Sequence, residues 1–229
     1  MTGRPDVDLR SALGPDVLDQ QHRPLCVAFA VSGAHEAHRP LNGAIQEHLA
    51  PEAIWWHCSS LGLTSDAGML LMDADSALRG PGQPDLATWP YDPTLGEATE
   101  NPPNGLTPPW NQAELAPLPL AHDGIEDRIE ESLEAGSPVV LIIEVTDEFR
   151  MPDEDGVIAV PDMRSDEGGY HAVVCVGAFT HPDHGRLLLI KNSWGTRWAL
   201  DGYGGLPVEY LIAFGAQAAL VRPGGDPNP

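Results

Sequence analysis

Residues 20–36 read QQHRPLCVAFAVSGAHE and place one cysteine at the start of an apolar stretch that continues for several turns. The apolar pattern ends before Pro40, so we predict a helix over about 26–38. A cysteine at a helix N-terminus lies at the positive end of the helix dipole, which favours the thiolate over the thiol. Cys26 is therefore either a small residue packed in a core or a nucleophile, and the rest of the sequence bears on the choice.

A nucleophilic cysteine needs a base, a group that orients the base and a donor for the oxyanion. All three are available. His171, in GGYHAVVCVG, stands at the start of a predicted strand, and Asn192, in KNSWGTRWALDGYGG, directly follows another. Gln20 stands six residues before Cys26. Each signal alone is weak, because a single histidine is more often a structural residue than a base.

The other cysteines and the histidines carry no clear chemistry. Three cysteines at wide spacing disfavour a disulfide framework and form no C-x-x-C motif, and we expect Cys58 and Cys175 to be buried and inert. His35 and His38 lie beside Glu36 without a third ligand nearby, so exposed helix histidines are favoured over a metal site. We expect no metal and no cofactor.

The charge of the chain excludes several classes of partner. Twelve basic residues against 34 acidic ones give a formal net charge of -22 over 229 residues, which repels nucleic acid and anionic membrane surfaces. No apolar run approaches a membrane span and the N-terminus lacks a secretory pattern, so we expect a cytoplasmic protein. The same charge predicts weak steering that favours neutral or basic substrates over acidic ones.

Helices come first along the chain and strands second, which predicts an α+β protein. A second helix opens with Pro51, a third spans about 68–78, and the Pro- and Gly-rich stretch that follows is predicted to be a loop. A later helix has an Asp123 cap, Glu126 three positions on and Gly136 as terminator. Four short β-branched segments then predict antiparallel strands: PVVLIIEV, GVIAV, HAVVCVGAF and RLLLIKNSW. The end, RPGGDPNP, is predicted to be a frayed tail.

Three motifs together resemble the papain-like cysteine peptidases. They are Q-x5-C-x-A-F-A, H-A-V-x-x-V-G and N-S-W-G-x-x-W-x-x-x-G-Y, in that order, and the resemblance runs from about Val7 to Tyr210. It implies a single two-lobed domain with the active site between the lobes. The helical lobe would span about 17–112, and the antiparallel β-barrel lobe about 113–220 plus an N-terminal strand, with a tail over 222–229.

Carried over by position, the resemblance assigns the catalytic roles. Cys26 would be the nucleophile, His171 its base and later the general acid, and Asn192 the residue that orients the imidazole. The Gln20 side-chain amide and the Cys26 backbone N–H would form the oxyanion hole. Trp194 would shield the bond between histidine and asparagine from water. A thiolate and an imidazolium would then form an ion pair across the cleft.

The turn before the nucleophile departs from the family pattern. It reads HRPLC, with Arg23, Pro24 and Leu25 where the family usually has smaller residues. The disulfide that commonly ties this turn to the second helix cannot form, because Cys58 would face Arg23. That absence fits a reducing compartment.

The resemblance leaves substrate recognition open. The Gly-Gly pair with which the family holds a substrate backbone has no obvious counterpart, although Gly62 or Gly68 would substitute, and Tyr170 is a further candidate beside His171. The mature-like pattern begins at Val7, so we expect a chain without an inhibitory pro-segment, controlled by narrow specificity or by a regulatory protein partner. The expected substrate is a peptide or protein.

Three functions fit these residues. The first is a thiol peptidase or amidase, favoured because all four catalytic positions hold competent residue types. The second is an acyl or amide transferase on the same scaffold, in which an amine resolves the thioester. The third is a non-catalytic module that binds a peptide in the cleft.

Overall fold

The computed structural model describes residues 4–39, 46–119, 124–163 and 169–224. Within these ranges the helices are α1 Cys26–Glu36, α2 Pro51–Ser60, α3 Ala74–Arg79, α4 Ile125–Glu134, α5 Asp147–Arg150 and α6 Val208–Phe214. The strands are β1 Val7–Asp8, β2 Thr64–Ser65, β3 Gly68–Met69, β4 Ala113–Pro117, β5 Val139–Glu144, β6 Tyr170–His181, β7 Gly185–Lys191, β8 Tyr203–Pro207 and β9 Gly215–Pro223. None of the described helices is long and apolar enough to cross a membrane.

Helix α1 lies between the other N-terminal helices and the sheet. It contacts α2 and α3 on one side and β5, β6 and β9 on the other. Its residues share one apolar cluster with Ile54 and Trp55 of α2 and with Val140 and Val174 of the sheet. Because the helix is enclosed on both sides, its first residue, Cys26, is brought next to the start of β6.

Enclosure of α1 also buries its polar residues. His35 is 3% exposed, with its Nδ1 2.9 Å from Gln83 Oε1, so the expectation that it is an exposed helix histidine was wrong. Glu36 is 2% exposed and accepts hydrogen bonds from the backbone amides of Gly14 and Leu49. The described residues contain no cluster of three side chains suited to hold a metal ion.

The strands of the second half form one antiparallel sheet in the order β4-β9-β5-β6-β7-β8, and β1 pairs with the far half of β6. The predicted α+β class is confirmed, but the described strands do not close into the predicted barrel. Strand β4 forms one edge of the sheet and packs against α3, where the Leu115 amide donates to Asp75 Oδ1 at 2.7 Å. This bond satisfies one backbone amide of the edge, and the helix that packs there covers the edge in place of a further strand.

Several predicted elements agree with the structure and others do not. Helix α2 starts at Pro51 as predicted, and α4 ends before Gly136, whose φ of +81° suits a helix terminator. The third helix begins at Ala74 rather than at 68, because Gly68 pairs with Ser65 in a small hairpin. Asp123 and residues 225–229 of the predicted tail lie outside the described residues.

The segment GVIAV, predicted as a strand, makes only an isolated bridge between Val157 and Gly205. The predicted loop after α3 contains β4, which pairs with β9 along its full length. Strand β9 in turn continues to Pro223.

Candidate active site

Cys26 and His171 line one cleft between α1 and the sheet. The cleft has a volume of about 420 Å³ and also includes Tyr170, Ala172 and Ile142. Cys26 is the first residue of α1 and is partly exposed, whereas His171 is the second residue of β6 and is 5% exposed. The contact between α1 and β6 therefore brings together two residues that are 145 positions apart.

Burial dominates the protonation of the thiol. Desolvation raises the pKa of Cys26, and the backbone N–H groups of Ala172, Val27 and Cys26 itself act in the opposite direction. The position at the start of α1 thus supplies amide donors as the sequence predicted, but these donors do not outweigh burial. Among the described residues, no hydrogen bond joins the Cys26 sulfur to His171.

Asn192 orients the imidazole of His171. Asn192 Oδ1 lies 2.7 Å from His171 Nε2 and also accepts the backbone N–H of Ser193 at 2.7 Å. A carbonyl oxygen as partner requires a proton on Nε2, which leaves Nδ1 for the cleft. Burial lowers the pKa of His171 to about 4, the bond to Asn192 raises it in part, and the charge of Arg150 lowers it further.

Aromatic rings surround the bond between His171 and Asn192. The ring of Trp194 lies 4.6 Å from that of His171, and Phe149 packs edge-on against Trp194 at 5.4 Å. Trp198 donates its indole N–H to the carbonyl of Phe149 at 3.0 Å. The Trp194 shield expected from the sequence is thus one part of a larger cluster, which excludes water from one side of the imidazole.

Gln20 is held at both ends of its side-chain amide. Its Nε2 donates to the carbonyl of Arg23 at 2.8 Å, and its Oε1 accepts from Ser193 Oγ at 2.6 Å. Its backbone is tied by Ser193 O and by the hydroxyl of Tyr91, which donates to Gln20 O at 2.7 Å. One of the two Nε2 hydrogens is left for another acceptor, so the amide is fixed in place and still able to donate.

The turn before Cys26 is tied to α2 by an ion pair. The Arg23 guanidinium is fully buried, lies 2.5 Å from Glu52 Oε2 and faces the ring of Tyr91. It also donates to the carbonyls of Asp92, Gly96 and Ala98 in the loop that closes over it. The expectation that Cys58 faces Arg23 was therefore wrong.

Cys58 and Cys175 are both buried free thiols, as predicted. The sulfur of Cys58 lies 3.6 Å from the carbonyl of Asp73. Burial raises the pKa of Cys58 to about 11 and that of Cys175 to about 12. Neither of these thiols is accessible for reaction, whereas Cys26 is partly exposed.

The three candidate substrate-binding residues occupy different places. Tyr170 lines the cleft and is 67% exposed. Gly68 has a φ of +102° in β3, next to the cleft-lining residues Ala67 and Met69, and a Cβ there would lie 3.1 Å from the carbonyl of Pro24. Gly62 is exposed in the turn after α2 and is not among the residues that line the cleft.

Several residues of the site carry no signal in the sequence. Phe149 follows an unremarkable acidic stretch, and Glu52 stands in a helix that is otherwise interpreted from its apolar residues. Their partners are far along the chain, so only the fold shows that they belong to the site. In the sequence Ser193 stands out only as part of the N-S-W-G motif, although its hydroxyl positions Gln20.

Nearly the whole chain is similar to known cysteine proteases. The sequence profile described as Papain family cysteine protease matches residues 5–209. An uncharacterised peptidase C1-like protein of Acanthamoeba polyphaga mimivirus is 37% identical over 92 residues, which cover 38% of this chain and 29% of that protein. Cathepsin L of Sarcophaga peregrina is 25% identical over 188 residues, covering 82% of this chain and 53% of that protein. The chain thus spans at most about half the length of these relatives.

Solved structures show the same fold. Xylellain, a cysteine protease from Xylella fastidiosa, has a TM-score of 0.73 at 24% identity, with 96% of this chain and 86% of that chain covered. The bromelain protease from Ananas comosus, solved in complex with the E64 inhibitor, has a TM-score of 0.72 at 17% identity, with 96% and 99% covered.

Proposed function

Since the chain belongs to the papain family of cysteine proteases, we propose that it hydrolyses a peptide or amide bond through a thioester on Cys26. The observation that supports this most strongly is the convergence of Cys26 with His171 in one cleft, with Asn192 bonded to the far nitrogen of the imidazole. A nucleophile, a base and an orienting group in that arrangement match the general pattern of covalent catalysis.

The reaction proceeds in two halves. The Cys26 thiol gives its proton to His171, and the sulfur attacks the carbonyl carbon of the substrate. The C–N bond breaks, the leaving amine takes the proton from His171, and the acyl group stays on sulfur as a thioester. Water then attacks the thioester and gives a proton to His171, the C–S bond breaks, and the proton returns to sulfur as the carboxylic acid leaves.

The negative oxygen formed in each half needs donors. The Gln20 side-chain amide has one N–H not used within the turn, and the backbone N–H of Cys26 is at the start of α1, where no earlier helical carbonyl accepts it. We assign these two groups to the oxyanion hole. Fixed donors of this kind stabilise the transition state without reorganisation.

Cys26 and His171 work as a coupled pair in this proposal. Burial is the main reason why the pKa of Cys26 is raised and that of His171 is lowered. Neither pKa includes an interaction between a charged Cys26 and a charged His171. Moving the proton from sulfur to the imidazole creates both charges together, so that each stabilises the other. The amides at the sulfur and the Asn192 oxygen at the imidazolium act in the same direction, so we propose an ion pair in the free enzyme.

The cleft suits an apolar substrate segment on the acyl side. Beside Cys26 its wall is formed by Met69, Leu71, Ile142 and Ala216, with Gln217 as a polar residue. An apolar side chain that enters this wall would be removed from water, at about 25 cal/mol per Å² buried. We therefore propose a peptide or protein substrate with an apolar residue before the scissile bond.

A thiol-directed epoxysuccinyl probe tests the proposal. We expect one equivalent to label Cys26 in the native protein, with the buried Cys58 and Cys175 unlabelled as internal controls, and no labelling of Cys26 after denaturation. Cleavage of a peptide library should be lost in Cys26→Ala, and an added amine acceptor should leave the products unchanged. Intact cleavage in Cys26→Ala, or absence of labelling in the native protein, would contradict the proposal.

A further inference from the structure

A second groove lies beside the catalytic histidine, separate from the cleft that contains Cys26. It has a volume of about 530 Å³ and is lined by two segments: Arg150, Pro152 and Asp153 at and after the end of α5, and Trp194, Arg197 and Ala199 after β7. Trp194 connects the groove to the site, because its ring lies 4.6 Å from that of His171. The charge of Arg150 also reaches the imidazole, where it lowers the pKa.

The two arginines of this groove have no carboxylate partner; Arg128 and Arg222 share this property among the described arginines, but neither lines the groove. Six described arginines lie within 4 Å of a carboxylate, namely Arg4, Arg10, Arg23, Arg39, Arg79 and Arg186. Arg150 and Arg197 are exposed, and within the described part of the chain neither has a carboxylate at that distance. In a chain with 34 acidic residues and 12 basic ones, two such arginines in one groove form a local positive site.

The carboxylate that does line the groove is occupied by its own loop. Asp153 Oδ1 accepts the backbone amides of Asp155 at 3.0 Å and Val157 at 2.7 Å. Its other oxygen lies 3.8 Å from His184 Nε2. Asp153 therefore shapes the loop and forms no ion pair with either arginine, and two guanidinium groups against one carboxylate give the groove lining a net positive charge.

The reaction proposed above determines which part of a substrate reaches this groove. The acyl part must lie against Cys26, in the apolar cleft. The leaving amine takes its proton from His171, so the segment beyond the scissile bond departs on the side of the imidazole where Trp194 and the two arginines lie.

We propose that the groove around Trp194 binds a carboxylate on the leaving-group side of the scissile bond, with Arg150 and Arg197 as its donors. The inference rests on the proposed function and adds a substrate class to it. A guanidinium presents paired N–H donors that match a carboxylate, which makes it the suitable group for this recognition. The ligand is either the free C-terminal carboxylate of a short leaving segment or the side chain of an acidic residue.

This local preference opposes the steering by the whole molecule. The net charge of -22 favours neutral or basic substrates at long range, whereas the groove selects a negative group next to the scissile bond. The expected substrate is thus neutral or basic on the acyl side and carries its negative charge beyond the scissile bond.

Four peptides with one common acyl segment test the proposal. Two have a short leaving segment that ends in a carboxylate or in a carboxamide, and two have a longer amidated segment with a Glu or a Gln in it. We expect kcat/KM to be about 3- to 10-fold higher for a carboxylate peptide than for its neutral match. A preference in the first pair alone identifies the C-terminal carboxylate, and one in the second pair alone identifies the side chain.

Variants assign the preference to the groove. In Arg150→Gln/Arg197→Gln the ratio within each pair should fall to about one, mainly through KM of the carboxylate peptides. Loss of the Arg150 charge also raises the pKa of His171, but this acts on all four peptides alike and cancels in the ratio. Arg222→Gln is the matched control, since Arg222 is an exposed arginine at the end of β9 outside the groove. Equal rates within both pairs for the wild type, or a preference that survives in the double variant, would overturn the inference.

A binding measurement distinguishes failure of the proposed hydrolysis from failure of the proposed carboxylate site. If none of the four peptides is cleaved, that result counts against the proposed function and not against the groove. The groove is then tested in Cys26→Ala, by calorimetry with the leaving-segment peptides. Tighter binding of the carboxylate forms that is lost with Arg150 and Arg197 supports the inference, and equal binding of charged and neutral forms contradicts it.

Discussion

At the scale of single residues, the position of Arg23 shows most clearly what sequence reasoning missed. Arginine is seldom fully buried unless it is paired, so its surroundings cannot be inferred from neighbours in the chain. Its carboxylate partner, Glu52, is 29 positions away, and three of its acceptors are backbone carbonyls in a loop. By contrast, the nucleophile candidate Cys26 was identifiable because helix periodicity places it at a helix start.

Removal of the Arg23 charge should destabilise the protein. In Arg23→Met the carboxylate of Glu52 remains buried without its partner, which costs about 3–5 kcal/mol of unfolding free energy. Urea unfolding of Arg23→Met and of Arg23→Met/Glu52→Leu measures the effect. We expect the double variant to regain part of the unfolding free energy that Arg23→Met loses. A double variant no more stable than Arg23→Met would show that the unpaired Glu52 carboxylate is not the source of the loss.

Gln20 should affect the rate and not substrate binding. Gln20→Ala removes an oxyanion donor, so kcat should fall by about 10²–10³ with little change in KM. Ser193→Ala frees one end of the Gln20 amide and should lower kcat by a smaller factor. Steady-state kinetics of the two variants checks both values, and a large effect of Gln20→Ala on KM alone would assign Gln20 to substrate binding.

At the scale of elements, prediction succeeded where a segment has its own periodicity. Helices α1, α2 and α4 and strands β5, β6 and β7 are strongly apolar or amphipathic and occur close to their predicted positions. Strand β4 was missed because it lies among prolines and is specified by pairing with β9. GVIAV has the composition of a strand but bonds to β8 at Gly205 alone, since partner geometry decides pairing in a sheet.

Strand β1 depends on a glycine in β6. A Cβ at Gly177 would lie closer to the carbonyl of Val7 than atoms can approach, so Gly177→Ala should displace β1 from the sheet. We expect a loss of about 1–3 kcal/mol and faster proteolysis near Val7. Gly224→Ala is the control, because a Cβ there meets only ordinary contacts. Equal stability and equal proteolysis in the two variants would contradict this account of β1.

At the scale of the whole molecule, the resemblance between three short motifs and a family predicted the two halves and the cleft between them. The open sheet, the ion pair that ties the turn to α2 and the positive groove depend on contacts between distant segments. The cytoplasmic location and the regulatory partner stay predictions. The residues of the candidate site could therefore be proposed from the sequence, whereas the charge around them could not.

Buried histidines make stability depend on pH. Burial lowers the pKa of His35 to about 4, and that of His38 is lowered for the same reason. Between about pH 6.5 and pH 4 the unfolded chain binds protons that the folded His35 does not, so the free energy of unfolding falls as the pH falls. His35 alone accounts for roughly 3 kcal/mol over this range.

Urea unfolding from pH 7 to pH 4 measures this dependence. The variant His35→Gln keeps a polar group near Gln83 but does not titrate, so its stability should fall less over the same range. The same pH dependence in both proteins would show that His35 does not contribute.

The pairing of Cys26 with His171 is the central claim, and the pH profile of Cys26 alkylation tests it most directly. Iodoacetamide labelling followed by mass spectrometry gives the rate at each pH in the wild type and in His171→Ala. We predict fast labelling of the wild type well below the ordinary thiol pKa of ~8.5, and a shift of the profile to or above that value in the variant, where burial is no longer offset by an imidazolium. Identical profiles in the two proteins would contradict the pairing and return Cys26 to the status of a core residue.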